Sequence, residues 1–207
     1  PGDADLAFVQ GKALTVELWL FLEKLPAEKP MAIVGYLSSN AGWSLYVDPT
    51  SVPTTLTMAV YGLDGGNVVL SRVTSSTTPP TGRWFHVSVS GTEGGMLRLF
   101  LDGTPAGEGA FKKMPARPVD GTPLWIGHLP EGGEPFVGMI DDLLLSGTEH
   151  RTQVFDPPKC ASRFNDADVL LATFDEGEGT KLVDQIGGRQ GGIEGVPAWK
   201  IGSCDNR

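Results

Sequence analysis

Asp141 and Asp142 stand side by side in the otherwise apolar stretch Val137 to Leu145, and they are the carboxylates most able to do chemistry. Successive side chains of an extended segment point to opposite faces, so one carboxylate is expected on each side of its sheet. An unpartnered buried carboxylate costs several kcal/mol, so at least one of the two needs backbone donors or a cation, calcium among them. Aromatic rings form the second set, because flat rings stack on sugar faces. The chain offers Trp19, Trp43, Trp84, Trp125 and Trp199 with Tyr36, Tyr46 and Tyr61. Trp43 alternates with Leu45 and Val47 and reads as inward, whereas Tyr46 shares the opposite face with Ser44 and Asp48. Trp125 is out of phase with Leu124 and Ile126 and reads as outward. Tyr46, Tyr61 and Trp125 are therefore the candidate glycan-facing residues, and most of the other rings read as packing.

Catalytic constellations do not assemble. Glycoside hydrolysis needs two carboxylates about 5 to 9 Å apart. Glu17 and Glu23 share a face, yet six residues of extended chain separate them by roughly 20 Å. His86 alternates with Ser88 and Ser90 beside Trp84 and reads as structural. His128 and His150 fall in loops without a His-x-x-x-His or Cys-x-x-Cys partner, so zinc is not expected. No Gly-x-Ser-x-Gly elbow accompanies the many serines. The chain reads as a non-enzyme.

Sixteen basic against 25 acidic residues leave a net charge of −9, which repels a phosphate backbone or an anionic membrane. No run of about 18 apolar residues is present, so membrane insertion is not expected. The chain opens at Pro1-Gly2-Asp3-Ala4 without a basic-then-apolar leader, and a secretion signal is expected to have been removed or to lie upstream. Cys160 and Cys204 both sit in polar, loop-like surroundings, where exposed thiols are liabilities in a secreted chain. A Cys160–Cys204 disulfide in an extracellular or periplasmic setting is the expectation, with two unrelated free thiols as its alternative. Such a bridge would contribute roughly 4 kcal/mol through loop closure.

These residues must be carried by strands, since 28 glycines and 16 prolines interrupt most windows longer than ten residues. Leu14, Val16, Leu18, Leu20 and Leu22 alternate with Thr15, Glu17, Trp19, Phe21 and Glu23, which predicts a strand with one core face. Further strands are predicted at Ala32–Tyr36, Trp43–Val47, Leu56–Tyr61, Val68–Ser71, Trp84–Val89, Leu97–Leu101, Leu124–Gly127 and Val137–Leu145. The turn Gly91-Thr92-Glu93-Gly94-Gly95 closes a hairpin, and Asp102-Gly103 opens the next one. Spacing of about ten residues between strands predicts an all-β sandwich or jelly roll. A length of 207 residues suits one such domain, 1–207.

Four linked segments carry a family resemblance. They are Leu14-Thr15-Val16-Glu17-Leu18-Trp19, Gly42-Trp43-Ser44-Leu45-Tyr46-Val47, Gly82-Arg83-Trp84-Phe85-His86-Val87 and Gly138-Met139-Ile140-Asp141-Asp142-Leu143. Together they resemble a laminin G-like domain of the concanavalin A-like class found in bacterial-type extracellular proteins. The resemblance implies a jelly-roll sandwich of two antiparallel sheets. It departs from the family where an Arg and a Tyr often follow the Asp pair, since Leu144 and Ser146 stand there. Asp168 to Thr180, with Asp184 and Gly195-Val196-Pro197-Ala198-Trp199, is similar to a motif that flanks such domains. Residues 160–207 are accordingly read as a C-terminal extension that completes the sandwich through two or three strands, with the orphaned start of a next repeat as the alternative. In several relatives a carboxylate at this point of the C-terminal strand helps hold a structural calcium. The resemblance thus implies a calcium set of Asp141, Asp142, Asp175 and Glu176, with Asp184 as a further oxygen donor. The alternative is hydrogen bonding of the Asp pair to backbone amides. Hydrolases of the class carry Glu-x-Asp-x-x-Glu on one strand, and no such strand is present here.

Three functions follow as alternatives. The leading one is a non-catalytic extracellular recognition module that binds glycans, calcium-assisted, or a protein partner. The second is a structural or adhesion domain of a large surface protein. The third is a glycoside hydrolase with an unfamiliar site. Edge-strand pairing could make dimers, but no residue pattern predicts it.

Overall fold

The computed structural model describes residues 4–8, 11–128, 132–194 and 198–200. A single 3-10 turn at Ala4–Ala7 precedes strands β1 (Ala13–Leu22), β2 (Met31–Ser38), β3 (Ala41–Asp48), β4 (Thr55–Asp64) and β5 (Asn67–Thr74). They are followed by β6 (Trp84–Thr92), β7 (Met96–Leu101), β8 (Thr104–Ala110), β9 (Trp125–Ile126) and β10 (Gly138–Ser146). The last strands among the described residues are β11 (Asp168–Ala172), β12 (Lys181–Val183) and β13 (Gln190–Gly192). Two large antiparallel sheets result, ordered β11-β10-β1-β6-β7-β8 and β5-β4-β3-β2-β9.

Alternation along each strand builds the layer between the sheets. The five leucine and valine positions from Leu14 to Leu22 on β1 are fully buried. They face Trp43, Leu45 and Val47 of β3 and Leu56, Met58 and Val60 of β4 within one apolar cluster. Burying each such side chain stabilises the fold by roughly 1.5–3 kcal/mol, an amount that no single surface contact matches. Trp43 is inward as expected, and its indole donates to the Leu6 carbonyl oxygen at 2.8 Å. The N-terminal turn is thereby fixed against the core.

The two sheets approach each other along β5 and β8. Thr74 and Arg72 carbonyl oxygens lie where Cβ atoms of Gly107 and Gly109 would stand, so only glycine permits this approach. The predicted Asp102-Gly103 hairpin does form, linking β7 to β8, with φ of 48° and 72° at the two turn residues. Of the C-terminal segment, β11 adds an edge strand to β10, whereas among the described residues β12 and β13 pair only with each other. The indole of Trp199 returns to this hairpin region by donating to the Gly179 carbonyl at 2.9 Å. Gly195, Val196, Pro197 and Cys204 lie outside the described residues.

The Asp pair departs from simple alternation. A β-bulge interrupts the β1–β10 ladder between Glu17 and Trp19, and Asp142 takes the left-handed conformation at φ 53°. Asp141 pairs with outward-facing Trp19, and Asp142 lines a cavity beside Glu17 and Trp19. Both carboxylates therefore sit on the outer side of the six-stranded sheet rather than one on each side. The extra residue of the bulge removes the two-residue period on which the expectation rested.

Candidate functional site

The two sheets present outer faces of different character. On the six-stranded sheet, Thr15, Glu17 and Trp19 of β1 pair with Ser90, Ser88 and His86 of β6. Residues 147–166 cross this polar layer as a strap. Glu17 accepts hydrogen bonds from Arg151 Nε at 2.7 Å, Arg151 Nη2 at 3.2 Å and Ser88 Oγ at 3.0 Å. Phe155 and Phe164 stack against the guanidinium, with centroids 4.2 and 4.9 Å from its carbon. The indole of Trp19 donates to the Pro158 carbonyl at 3.1 Å, and Phe155 packs edge-on against His86 and Phe100. The strap leaves a cavity of about 10 Å³ beside Glu17, Trp19, His86 and Asp142, room for about one water molecule.

This layer closes the face rather than opening a cleft. Glu17 is shielded from solvent beneath its ion pair with Arg151, and His86 Nε2 lies 3.8 Å from its Oε2. His150 sits under the same strap, 3.5 Å from Asp168 and packed on Phe164. Burial pushes its pKa below the usual histidine value; Glu17 and Asp168 oppose that shift and Arg151 adds to it.

The implied calcium ligands are dispersed. Asp141 Oδ1 accepts the Asp142 amide at 3.0 Å. Asp184 accepts the amides of Leu171, Ile186 and Gly187, each at 3.0 Å, and Arg189 at 2.6 Å. Glu176 accepts the Val183 amide at 2.9 Å, and Asp175 is exposed. Among the described residues no three acidic, histidine or cysteine side chains come together as a metal site. Asp184 in particular is a turn organiser whose oxygens already face four donors, so this donor set does not fit a calcium ion. Cys160 is placed in an exposed bend, and the expected partner Cys204 lies outside the described residues.

The five-stranded sheet brings the aromatic candidates onto one face. Trp125, Gly35, Ser44, Ala59 and Arg72 pair successively across β9, β2, β3, β4 and β5, so they form one row across the whole sheet. Gly35, Ser44 and Ala59 are small and buried, which gives the row a low floor. The adjoining row carries Ala32, Tyr46, Thr57 and Thr74, and the row on the other side carries Leu37, Gly42, Tyr61 and Leu70. Tyr46 and Tyr61 thus flank the floor on its two sides, with half-buried Trp125 at one end and exposed Arg72 at the other. Four strand spacings make this trough about 19 Å long.

Polar tips along the trough are available to a ligand. Among the described residues the Tyr46 and Tyr61 hydroxyls, the Trp125 indole N–H and the Arg72 guanidinium have no hydrogen-bond or ion-pair partner. Burial raises the Tyr46 pKa above the ordinary tyrosine value, against the pull of Arg72, so its hydroxyl stays a donor at neutral pH. Sequence patterning nominated the three rings, which the structure places on one sheet face, but not the small row between them or Arg72. The outward phase of Ser44, Ala59 and Arg72 on their strands was readable. Their alignment with Gly35 was not, because a bulge between Ala32 and Val34 shifts the β2 register.

The match to a family model agrees with this architecture. A family model described as the concanavalin A-like lectin/glucanases superfamily, laminin G type, matches residues 3–151. The adhesion G-protein coupled receptor V1 of Danio rerio is 33% identical over 76 residues, 35% of this chain, which spans about 1% of that receptor's length. Domain 4 of a GH43 extracellular arabinanase from Geobacillus stearothermophilus, solved with arabinotriose, aligns at 20% identity and a TM-score of 0.43. That alignment covers 67% of this chain and 62% of the arabinanase domain's chain. The binding domain of botulinum neurotoxin serotype D aligns at 16% identity and a TM-score of 0.49, covering 68% of this chain and 34% of the other.

Proposed function

This chain belongs to the concanavalin A-like lectin/glucanases superfamily, and on that premise we propose that it is a non-catalytic extracellular recognition module that binds a glycan on the outer face of its five-stranded sheet. The observation that carries this reading is the cross-strand row from Trp125 to Arg72, whose small floor lies between Tyr46 and Tyr61. A sugar ring laid over Tyr46, Tyr61 and Trp125 would stack on their rings and meet hydroxyl, indole and guanidinium donors. The opposite outer face is sealed by the strap and supplies no comparable surface. Calcium has no assigned part in this recognition.

Screening the folded domain on a broad glycan array, with calcium and then with chelator, tests the reading. Binding that Trp125→Ala or Tyr46→Ala abolishes, while each variant keeps its thermal unfolding midpoint, is the expected result. Binding that survives both substitutions would move the site away from this sheet.

A second reading is a structural or protein-binding unit of a large surface protein. The likeness to an adhesion receptor favours it. A blank array together with retention of the domain by a surface-protein partner would support this alternative.

A further inference from the structure

We infer that the trough selects saccharides bearing an anionic substituent, a carboxylate or a sulfate, at its β5 end, where Arg72 and Lys112 would hold that group. This rests on the glycan reading above and adds a charge class to it. Leu70, Arg72, Ala110 and Lys112 line one concavity where the β5 edge meets the turn after β8. The root of Lys112 is fixed there, since its amide donates to Ser71 Oγ at 3.0 Å. Gly109, which must lack a Cβ beside the Arg72 carbonyl, lets the two edges close up and brings Lys112 toward Arg72.

Charge pairing around this concavity is selective. Lys113, the next residue, is neutralised by Asp64 at 3.4 Å and Glu93 at 3.8 Å. Arg98 pairs with Glu108 and Glu149, and Arg117 with Asp120. Among the described residues neither Arg72 nor Lys112 has such a partner, although the chain as a whole carries a net charge of −9. Two unneutralised cations therefore border a concavity at the Arg72 end of the row. A guanidinium matches a planar carboxylate or a sulfate through paired N–H donors, and a neighbouring ammonium adds a point charge. A neutral sugar hydroxyl at the same place would gain only ordinary hydrogen bonds.

Matched oligosaccharide pairs separate the charge claim from the groove claim. Calorimetry would compare oligogalacturonate with its methyl ester, and a heparin oligosaccharide with its desulfated form, on the wild type, Arg72→Gln, Lys112→Gln and Trp125→Ala. Preference for the charged member of a pair by about tenfold, lost in Arg72→Gln so that the two members bind alike, is the expected result. The pair that shows the preference identifies carboxylate or sulfate as the group held. Equal binding of charged and neutral members by the wild type, with Trp125→Ala abolishing both, would overturn the anion inference and leave the trough as the site. Charge preference that survives the Arg72→Gln and Lys112→Gln double variant would also overturn it. Binding insensitive to both Trp125→Ala and Tyr46→Ala would move the site away from this sheet and overturn the anion inference with it.

Discussion

Arg151 and Glu17 are joined across 134 residues of chain, with Arg151 Nε 2.7 Å from Glu17 Oε1 beneath a surface formed by Phe155 and Phe164. The pair ties the strap to the centre of the six-stranded sheet, and its aromatic cover keeps water from competing for it. A nearly buried ion pair of this kind is asymmetric in its energetics. Removing one partner strands the other charge, whereas removing both can be nearly neutral.

Arg151→Met should therefore destabilise the fold by about 3 kcal/mol, since it takes the guanidinium from nearly buried Glu17 and leaves only Ser88 and His86 beside it. Glu17→Gln combined with Arg151→Met should recover most of that loss. Urea unfolding of the two single variants and the double variant closes the cycle. A single Arg151→Met as stable as the wild type would show that the strap is held by its apolar contacts and not by this pair.

His150 should make stability fall on mild acidification. Asp168 and Glu17 face it from β11 and β1, Arg151 adjoins it on the strap, and burial outweighs the two carboxylates in lowering its folded-state pKa. The unfolded chain then binds the proton first. Stability is fully present above the unfolded value of about 6.5 and declines as pH falls below it, until the folded-state pKa is passed. Unfolding midpoints across this range should show a shallower pH slope for His150→Gln than for the wild type. An unchanged slope would assign the acid sensitivity to other groups.

The expected Cys160–Cys204 bridge predicts a mass that does not change on alkylation of the unreduced chain and gains two adducts after reduction. Its loss through Cys160→Ser should lower stability by up to roughly 4 kcal/mol by the loop-closure argument. Labelling of both cysteines without reduction would replace the bridge with two thiols.

Local periodicity made much of the fold legible. The Leu14–Leu22 alternation, the inward Trp43 and the turns around Gly94 and Gly103 follow from chemistry within a few residues, and each recurs in the structure. Family segments such as Gly82 to Val87 gave the sandwich class for the same reason. The outward phase of Tyr46, Tyr61 and Trp125 was equally local. What these residues do together was decided only by register. Bulges at Ala32–Val34 and Glu17–Trp19 break the period of two, so no count along the chain could align Trp125 with Arg72 or put both aspartates on one side. Nor could it bring Arg151 onto Glu17, because the cover of a sheet face depends on where a loop returns in space. Alternation is a property of a strand, whereas a trough, a strap and a charge pair are properties of strands brought side by side.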